Sequence, residues 1–143
     1  MKKLILILSI FIFCGNVAAQ EHICTISEAK EAESTVLLLN NWHDIYKSFK
    51  RFRHCDDGAI AEGYSASIMQ MLAHRWDQCD MLFNFVSEDK DFYVFVFRHI
   101  NACVDKSEIE MIINNSSKKC PKTASKICSA IERAAKEALK DAE

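Results

Sequence analysis

Residues 38–52 read LLNNWHDIYKSFKRF, and this stretch decides the fold class. Its large apolar residues recur at steps of four, three, four and three positions: Leu38, Trp42, Ile45, Phe49 and Phe52. This spacing puts the five side chains on one face of an α-helix, whereas a strand would show strict alternation. Asn40 and Asn41 either break the stretch into two helices or only mark a kink.

The same helical spacing continues over 59–76, 92–103 and 124–139. The segment FYVFVF at 92–97 is rich in residues that favour strands. We nevertheless expect a helix there, because the helical spacing continues through Cys103 and a lone strand would lack a partner. The sequence therefore predicts an all-α fold, a single compact bundle of about five to six helices.

The N-terminus has the pattern of an export signal. Lys2 and Lys3 precede an apolar run over 4–13, and small residues follow at 17–19. The run is shorter than the roughly 20 residues that span a bilayer, so a cleaved signal peptide is favoured over a membrane anchor. We expect residues 1–19 to be removed, leaving a periplasmic or secreted protein without a stable membrane anchor.

The remaining residues, 20–143, are predicted to form one helical domain, since a chain of 143 residues fits a single domain. The 18 basic and 20 acidic residues nearly balance, which argues against a nucleic-acid partner. Only three glycines occur, too few for a dinucleotide-binding fingerprint or a phosphate-binding loop.

Seven cysteines are present, and Cys14 would leave with the signal peptide. The other six predict three disulfides, because exported chains are oxidised and no CxxC pair is present. They are Cys24, Cys55, Cys79, Cys103, Cys120 and Cys128. Six cysteines allow 15 connectivities. We prefer Cys79–Cys103, with the remaining four tying the N-terminal segment and the Cys55 turn to the C-terminal helix.

The histidines do not form a recognisable metal or catalytic motif, since no two occupy one helix at ligand spacing. We therefore expect no metal, no cofactor and no enzymatic activity. His99 falls on an apolar helix face and is interpreted as a hydrogen-bonded core histidine. His43 and His54 each lie near an Asp, as in small secreted phospholipases A2, but the glycine-rich calcium loop of those enzymes is missing.

The residues Asp56, Asp57 and Glu62 are the candidate partner-binding site. An Asp at this turn can cap the following helix. A turn with two Asp residues, followed by an exposed Glu, would also present negative charge at a fixed place. Such an edge helps a protein to meet a partner of complementary charge.

Residues 55–64, CDDGAIAEGY, together with Cys120 beside Pro121, resemble the periplasmic immunity proteins of type VI secretion amidases. The resemblance implies a non-enzymatic protein that binds and blocks a peptidoglycan-cleaving toxin. The leading hypothesis is thus an inhibitor or immunity protein whose partner is a peptidoglycan hydrolase.

The alternative is a carrier of small apolar ligands, and a hydrolase that uses His43 or His54 with an Asp is least favoured. In a carrier, aromatic residues would line a cavity: Trp42, Phe49, Phe52, Phe83, Phe85, Phe92 and Phe95. A binding protein should have a filled core and a charged edge, whereas a carrier should enclose an apolar cavity of several hundred Å3.

Overall fold

The computed structural model describes residues 23–142, which form a bundle of seven α-helices without a strand. In chain order the helices are α1 (Ile26–Val36), α2 (Trp42–Phe52), α3 (Gly58–His74), α4 (Cys79–Glu88), α5 (Lys90–Arg98), α6 (Lys106–Lys118) and α7 (Ser125–Asp141). The all-α prediction is confirmed, with one helix more than expected. The expected signal peptide lies outside the described residues.

Asn41 separates α1 from α2. Its side chain accepts a hydrogen bond from the backbone N–H of Asp44 at 2.9 Å, which caps α2 and starts that helix at Trp42. Leu38 therefore lies in the turn and is 76% exposed. Its predicted place on the buried face is wrong, because the helix does not continue through the two asparagines.

The ambiguous segment 92–97 lies within α5, so the prediction of a helix is confirmed. Asp89 caps this helix by accepting hydrogen bonds from the backbone N–H groups of Asp91 and Phe92, both at 3.0 Å. Phe92 and Phe95 lie one turn apart, and both are buried, so they are on the apolar face that the helical spacing predicted.

Aromatic rings fill the centre of the bundle where α2, α3 and α5 meet. The ring centroids of Phe49 and Phe95 are 4.8 Å apart, and those of Tyr64 and Phe95 are also 4.8 Å apart. Phe92 lies 5.1 Å from Phe49. Such edge-to-face and tilted contacts stabilise a core beyond simple burial of area.

Helices α1 and α3 approach closely at Gly63. A Cβ atom added to this glycine would lie 2.4 Å from Cγ2 of Val36, so only a hydrogen fits between the two helices. Ser67, one turn further along α3, donates a hydrogen bond to the carbonyl oxygen of Val36 at 3.3 Å. These contacts hold the end of α1 against the middle of α3.

Two disulfides occur among the described residues, Cys24–Cys55 and Cys120–Cys128. Cys79 and Cys103 are free thiols, so the preferred Cys79–Cys103 bridge is wrong. Cys79 is buried at the start of α4, while Cys103 is exposed in the loop after α5.

The pairing expected for the other four cysteines is also wrong. The Cys24–Cys55 bridge joins the segment before α1 to the turn after α2. The Cys120–Cys128 bridge joins the segment after α6 to the first turn of α7. Neither bridge therefore runs from the N-terminal segment to α7.

Near the C-terminus, helix α6 packs against both α3 and α7. Asn115 on α6 is buried and donates hydrogen bonds to the carbonyl oxygens of Leu72 and Ala73, at 3.1 and 2.8 Å. These bonds satisfy carbonyl groups in the last turn of α3, which have no partner within the helix.

Among the described helices, none has the length and apolar character needed to span a membrane.

Candidate functional site

The turn at residues 53–58 joins α2 to α3 and carries two of the three predicted partner-binding residues. On one side the Cys24–Cys55 disulfide fastens it to the segment before α1. At its end the side chain of Asp57 accepts a hydrogen bond from the backbone N–H of Gly58 at 2.8 Å, which caps α3. The capping role proposed for an Asp at this turn is confirmed for Asp57.

Asp56 faces the interior. Its carboxylate is only 2% exposed, and it accepts a hydrogen bond from Nε2 of His99 at 3.1 Å. The guanidinium of Arg98 pairs with the same carboxylate oxygen. Because Arg98 and His99 lie at the end of α5, this ion pair fastens the turn on the side opposite to the disulfide.

The network continues from His99 into α3. Nδ1 of His99 lies 2.9 Å from the hydroxyl oxygen of Ser65, which also accepts a hydrogen bond from the side-chain amide of Asn101 at 3.0 Å. His99 is 3% exposed, so its interpretation as a hydrogen-bonded core histidine is confirmed. Together these bonds clamp α3 to the end of α5.

Ser65, His99 and Asp56 are the residue types of a serine hydrolase triad. A nucleophile, however, must reach the carbonyl carbon of its substrate. Ser65 is 2% exposed, and its hydroxyl also lies 3.0 Å from the carbonyl oxygen of Ala61. We therefore assign the network a structural role.

Asp57 and Glu62 remain exposed at the surface. They lie at the N-cap and within the second turn of α3, so one helix sets their separation. Glu62 also lines a groove of about 280 Å3, together with Asn101 and the exposed Cys103. Of the three predicted partner-binding residues, these two present accessible carboxylates, while that of Asp56 is held inside.

Two exposed leucines lie in the turn at the end of α1, the helix that packs on α3. Leu37 and Leu38 are 79% and 76% exposed in the turn after α1. They follow Val36, which packs against Gly63, and Glu62 precedes Gly63 on α3. We call these exposed residues of the α1 turn and the start of α3, Leu37, Leu38, Asp57 and Glu62, the α1–α3 edge.

The sequence contains a signal for the exposed leucines. Residues 36–39 are four consecutive aliphatic residues immediately before Asn40 and Asn41. Consecutive residues of a helix point in different directions, so they cannot all face one core. A groove of about 370 Å3 lies beside this turn, lined partly by Leu38, Leu39, Lys47 and Arg51.

The histidines of the two other His–Asp neighbourhoods, His43 and His54, each lie beside a carboxylate other than that of Asp56. His43 is on the surface, with Nδ1 3.7 Å from an oxygen of its neighbour Asp44. Nε2 of His54 lies 3.3 Å from Oε1 of Glu28 on α1. His54 is also near the Cys24–Cys55 disulfide, and these three residues bring their ligand atoms within 4.8 Å of one another.

The buried hydroxyl of Tyr64 makes a further contact between α3 and its neighbours. Its oxygen lies 2.7 Å from that of Ser48, which joins α3 to α2. The pKa of Tyr64 is raised to about 12, chiefly by burial and also by the negative charge of Asp56, which together outweigh the lowering effect of the bond with Ser48. The phenol thus stays neutral near pH 7 and acts as a packing and hydrogen-bonding group.

In comparisons with known proteins, no family model, no curated protein and no solved structure matches this chain. The resemblance of residues 55–64, Cys120 and Pro121 to immunity proteins of type VI secretion amidases therefore stays a prediction from the sequence. What the chain does must be inferred from its own surface, and the α1–α3 edge is the candidate functional site.

Proposed function

We propose that the chain is an exported, non-enzymatic binding protein that inhibits a cell-wall hydrolase, as an immunity protein inhibits a toxin. The observation that carries this proposal is the double fastening of the turn that bears Asp57. The Cys24–Cys55 disulfide holds one side, and the buried Asp56–His99 pair holds the other. An edge that is already rigid loses little conformational entropy on binding, which favours tight inhibition.

The α1–α3 edge has the composition of an interface. Leu37 and Leu38 supply exposed apolar surface, which in a monomeric protein commonly marks a binding site. Asp57 and Glu62 supply negative charge at the start of α3. Protein interfaces typically combine apolar and charged residues.

The charge of the edge indicates the chemistry of the partner. Two carboxylates attract a basic surface and speed the encounter with it, while the leucines contribute to affinity by leaving water. We therefore expect the partner to present an apolar patch bordered by Lys or Arg. A peptidoglycan hydrolase is proposed because residues 55–64 resemble an immunity protein segment.

The location proposed for the protein is the periplasm or the extracellular space. The N-terminal pattern supports export. The two disulfides are compatible with an oxidising compartment, where such bonds persist.

The carrier of apolar ligands remains the alternative, and the core packing favours the binding protein over it. Six of the seven aromatic residues that would line a cavity are buried and belong to the packed core: Trp42, Phe49, Phe52, Phe83, Phe92 and Phe95. The seventh, Phe85, stacks on Tyr46 at 4.4 Å. The grooves described above are open to solvent.

Affinity capture tests the proposal. The purified protein is immobilised and exposed to a whole-cell extract of the native organism, and retained proteins and lipids are identified by mass spectrometry. We expect a peptidoglycan hydrolase to be retained, and to be lost from a column that carries the Leu38→Asp, Glu62→Lys variant. Recovery of a lipid-like ligand with no protein partner would contradict the proposal and favour the carrier.

A further inference from the structure

The Cys24–Cys55 disulfide lies against a histidine. Cys24 precedes α1, while His54 and Cys55 occupy the short 3-10 turn Arg53–Cys55 that follows α2. The two sulfur atoms and a ring nitrogen of His54 all lie within 4.8 Å of one another. His54 is largely buried and Cys55 is buried, so this group sits partly shielded from solvent.

A carboxylate lies beside the group. Oε1 of Glu28 is 3.3 Å from Nε2 of His54. The other oxygen of Glu28 accepts hydrogen bonds from the backbone and hydroxyl of Thr25, at 3.0 and 2.7 Å, which fixes the carboxylate at the start of α1. Glu28 does not belong to the group of clustered ligand atoms, so its carboxylate lies beside the site rather than in it.

We propose that reduction of the Cys24–Cys55 disulfide converts this group into a zinc site with Cys24, His54 and Cys55 as protein ligands and water completing the tetrahedron. A dithiol reductant transfers two electrons and two protons to the disulfide, which yields two thiols, and the reductant becomes a disulfide. Zn²⁺ then displaces one proton from each thiol and is held by two thiolates. Thiolate and imidazole ligands select zinc over Mg²⁺ or Ca²⁺.

Replacement of the disulfide by a zinc ion would change the bond that holds the turn bearing Asp57. Cys55 immediately precedes Asp56, so either the disulfide or the metal ties the turn to α1. The zinc site is independent of the identity of any protein partner, and the test below needs none.

The second disulfide provides an internal control. Among the described residues, three clustered ligand atoms of His, Cys, Asp or Glu side chains occur at the Cys24 group and not at Cys120–Cys128. Two thiolates alone leave half of a tetrahedral zinc site to water. Reduction of Cys120–Cys128 should therefore create a much weaker metal site.

Cobalt binding tests the proposal. The purified Cys103→Ser protein, which lacks the exposed free thiol, is reduced with a phosphine, freed of it under anaerobic conditions and titrated with Co²⁺. We expect one Co²⁺ per chain, with thiolate-to-cobalt charge-transfer bands and the intense visible bands of a tetrahedral site. Zn²⁺ should displace the cobalt, and the oxidised protein should show no such bands.

Variants in the same background identify the ligands, with far-ultraviolet circular dichroism as the check on folding. His54→Ala should weaken binding by about 100-fold or more, since loss of even an outer-shell partner costs 10–100-fold. The Cys120→Ser, Cys128→Ser double variant should bind as before. Absence of the bands in the reduced protein, or their persistence in Cys24→Ser or in folded His54→Ala, would overturn the proposal.

Discussion

Asp56 and His99 are 43 positions apart in the sequence, and His99 donates a hydrogen bond to the carboxylate of Asp56 at 3.1 Å with both side chains almost fully buried. This pair ties the turn before α3 to the end of α5. It explains why neighbouring acidic residues have different roles, since Asp56 points inward and fixes the turn while Asp57 stays at the surface.

The first prediction concerns this pair. Asp56→Asn should lower the free energy of unfolding by about 3 kcal/mol, because it leaves a buried charge-assisted network without its anion. Chemical denaturation monitored by circular dichroism measures the change. Glu132→Gln is the matched control, because Glu132 pairs with Lys136 at 2.6 Å on an exposed helix face and should change stability by less than about 1 kcal/mol. Equal effects of the two variants would show that the Asp56 pair does not brace the turn.

The second prediction concerns the contact between α1 and α3. Gly63→Ala should destabilise the protein by about 1–3 kcal/mol, because the added methyl group would overlap Val36 and force the helices apart. The same methyl group is tolerated if space is made for it. Val36→Ala combined with Gly63→Ala should therefore be less destabilised than the sum of the two single changes. Simple additivity would argue against a direct contact.

The third prediction concerns the free thiols. In the native, non-reduced protein, a thiol reagent should modify Cys103 and leave Cys79 unmodified until the protein unfolds. Burial, together with the negative charges of Asp80 and Asp77, raises the pKa of Cys79 to about 12, so almost no reactive thiolate forms near pH 8. Cys103→Ser should abolish the native reaction. If no thiol reacts even after unfolding, a third disulfide is present and the assignment of two is wrong.

The fourth prediction concerns pH. Burial alone would raise the pKa of Asp89, but hydrogen bonds from the Phe92 N–H, Lys50 and Tyr46 outweigh it and lower the value. A carboxyl with a lowered folded pKa stabilises the protein above its unfolded pKa of about 3.9, and this stabilisation is lost as pH falls through the folded value.

Asp89→Ala should consequently cost about 1–2 kcal/mol at pH 7, through loss of the α5 cap and its partners. The difference in the free energy of unfolding between the wild type and the variant should shrink steadily below about pH 4. Denaturant unfolding at pH 7 and in the range below about pH 4 measures this difference. A gap that stays constant or grows on acidification contradicts the assignment of the Asp89 charge as stabilising.

The helices and the core could be predicted from the sequence because their signals are local. Trp42, Phe49 and Phe95 are buried where the helical spacing placed them. Leu38 was misplaced because the same spacing continued formally across Asn40 and Asn41, where the cap of α2 ends the pattern.

The candidate site was less accessible to prediction because it depends on contacts distant in sequence. Nothing near Asp56 shows that its partners are Arg98 and His99. The disulfide partners likewise follow from the packing of the N-terminal segment against the turn after α2, which places Cys24 at Cys55. Cysteine spacing carries no such information.

We propose that the protein inhibits a cell-wall hydrolase through the α1–α3 edge. Release of dye from labelled peptidoglycan by a whole-cell extract of the native organism tests it most directly. The extract is supplemented with wild-type protein, with the Leu38→Asp, Glu62→Lys variant, or with Glu137→Lys as a control on exposed α7. Wild type and Glu137→Lys should slow the release equally, while the edge variant, shown to be folded, should have little effect. If the wild-type protein does not slow the release, or if the edge variant slows it equally well, the claim is contradicted.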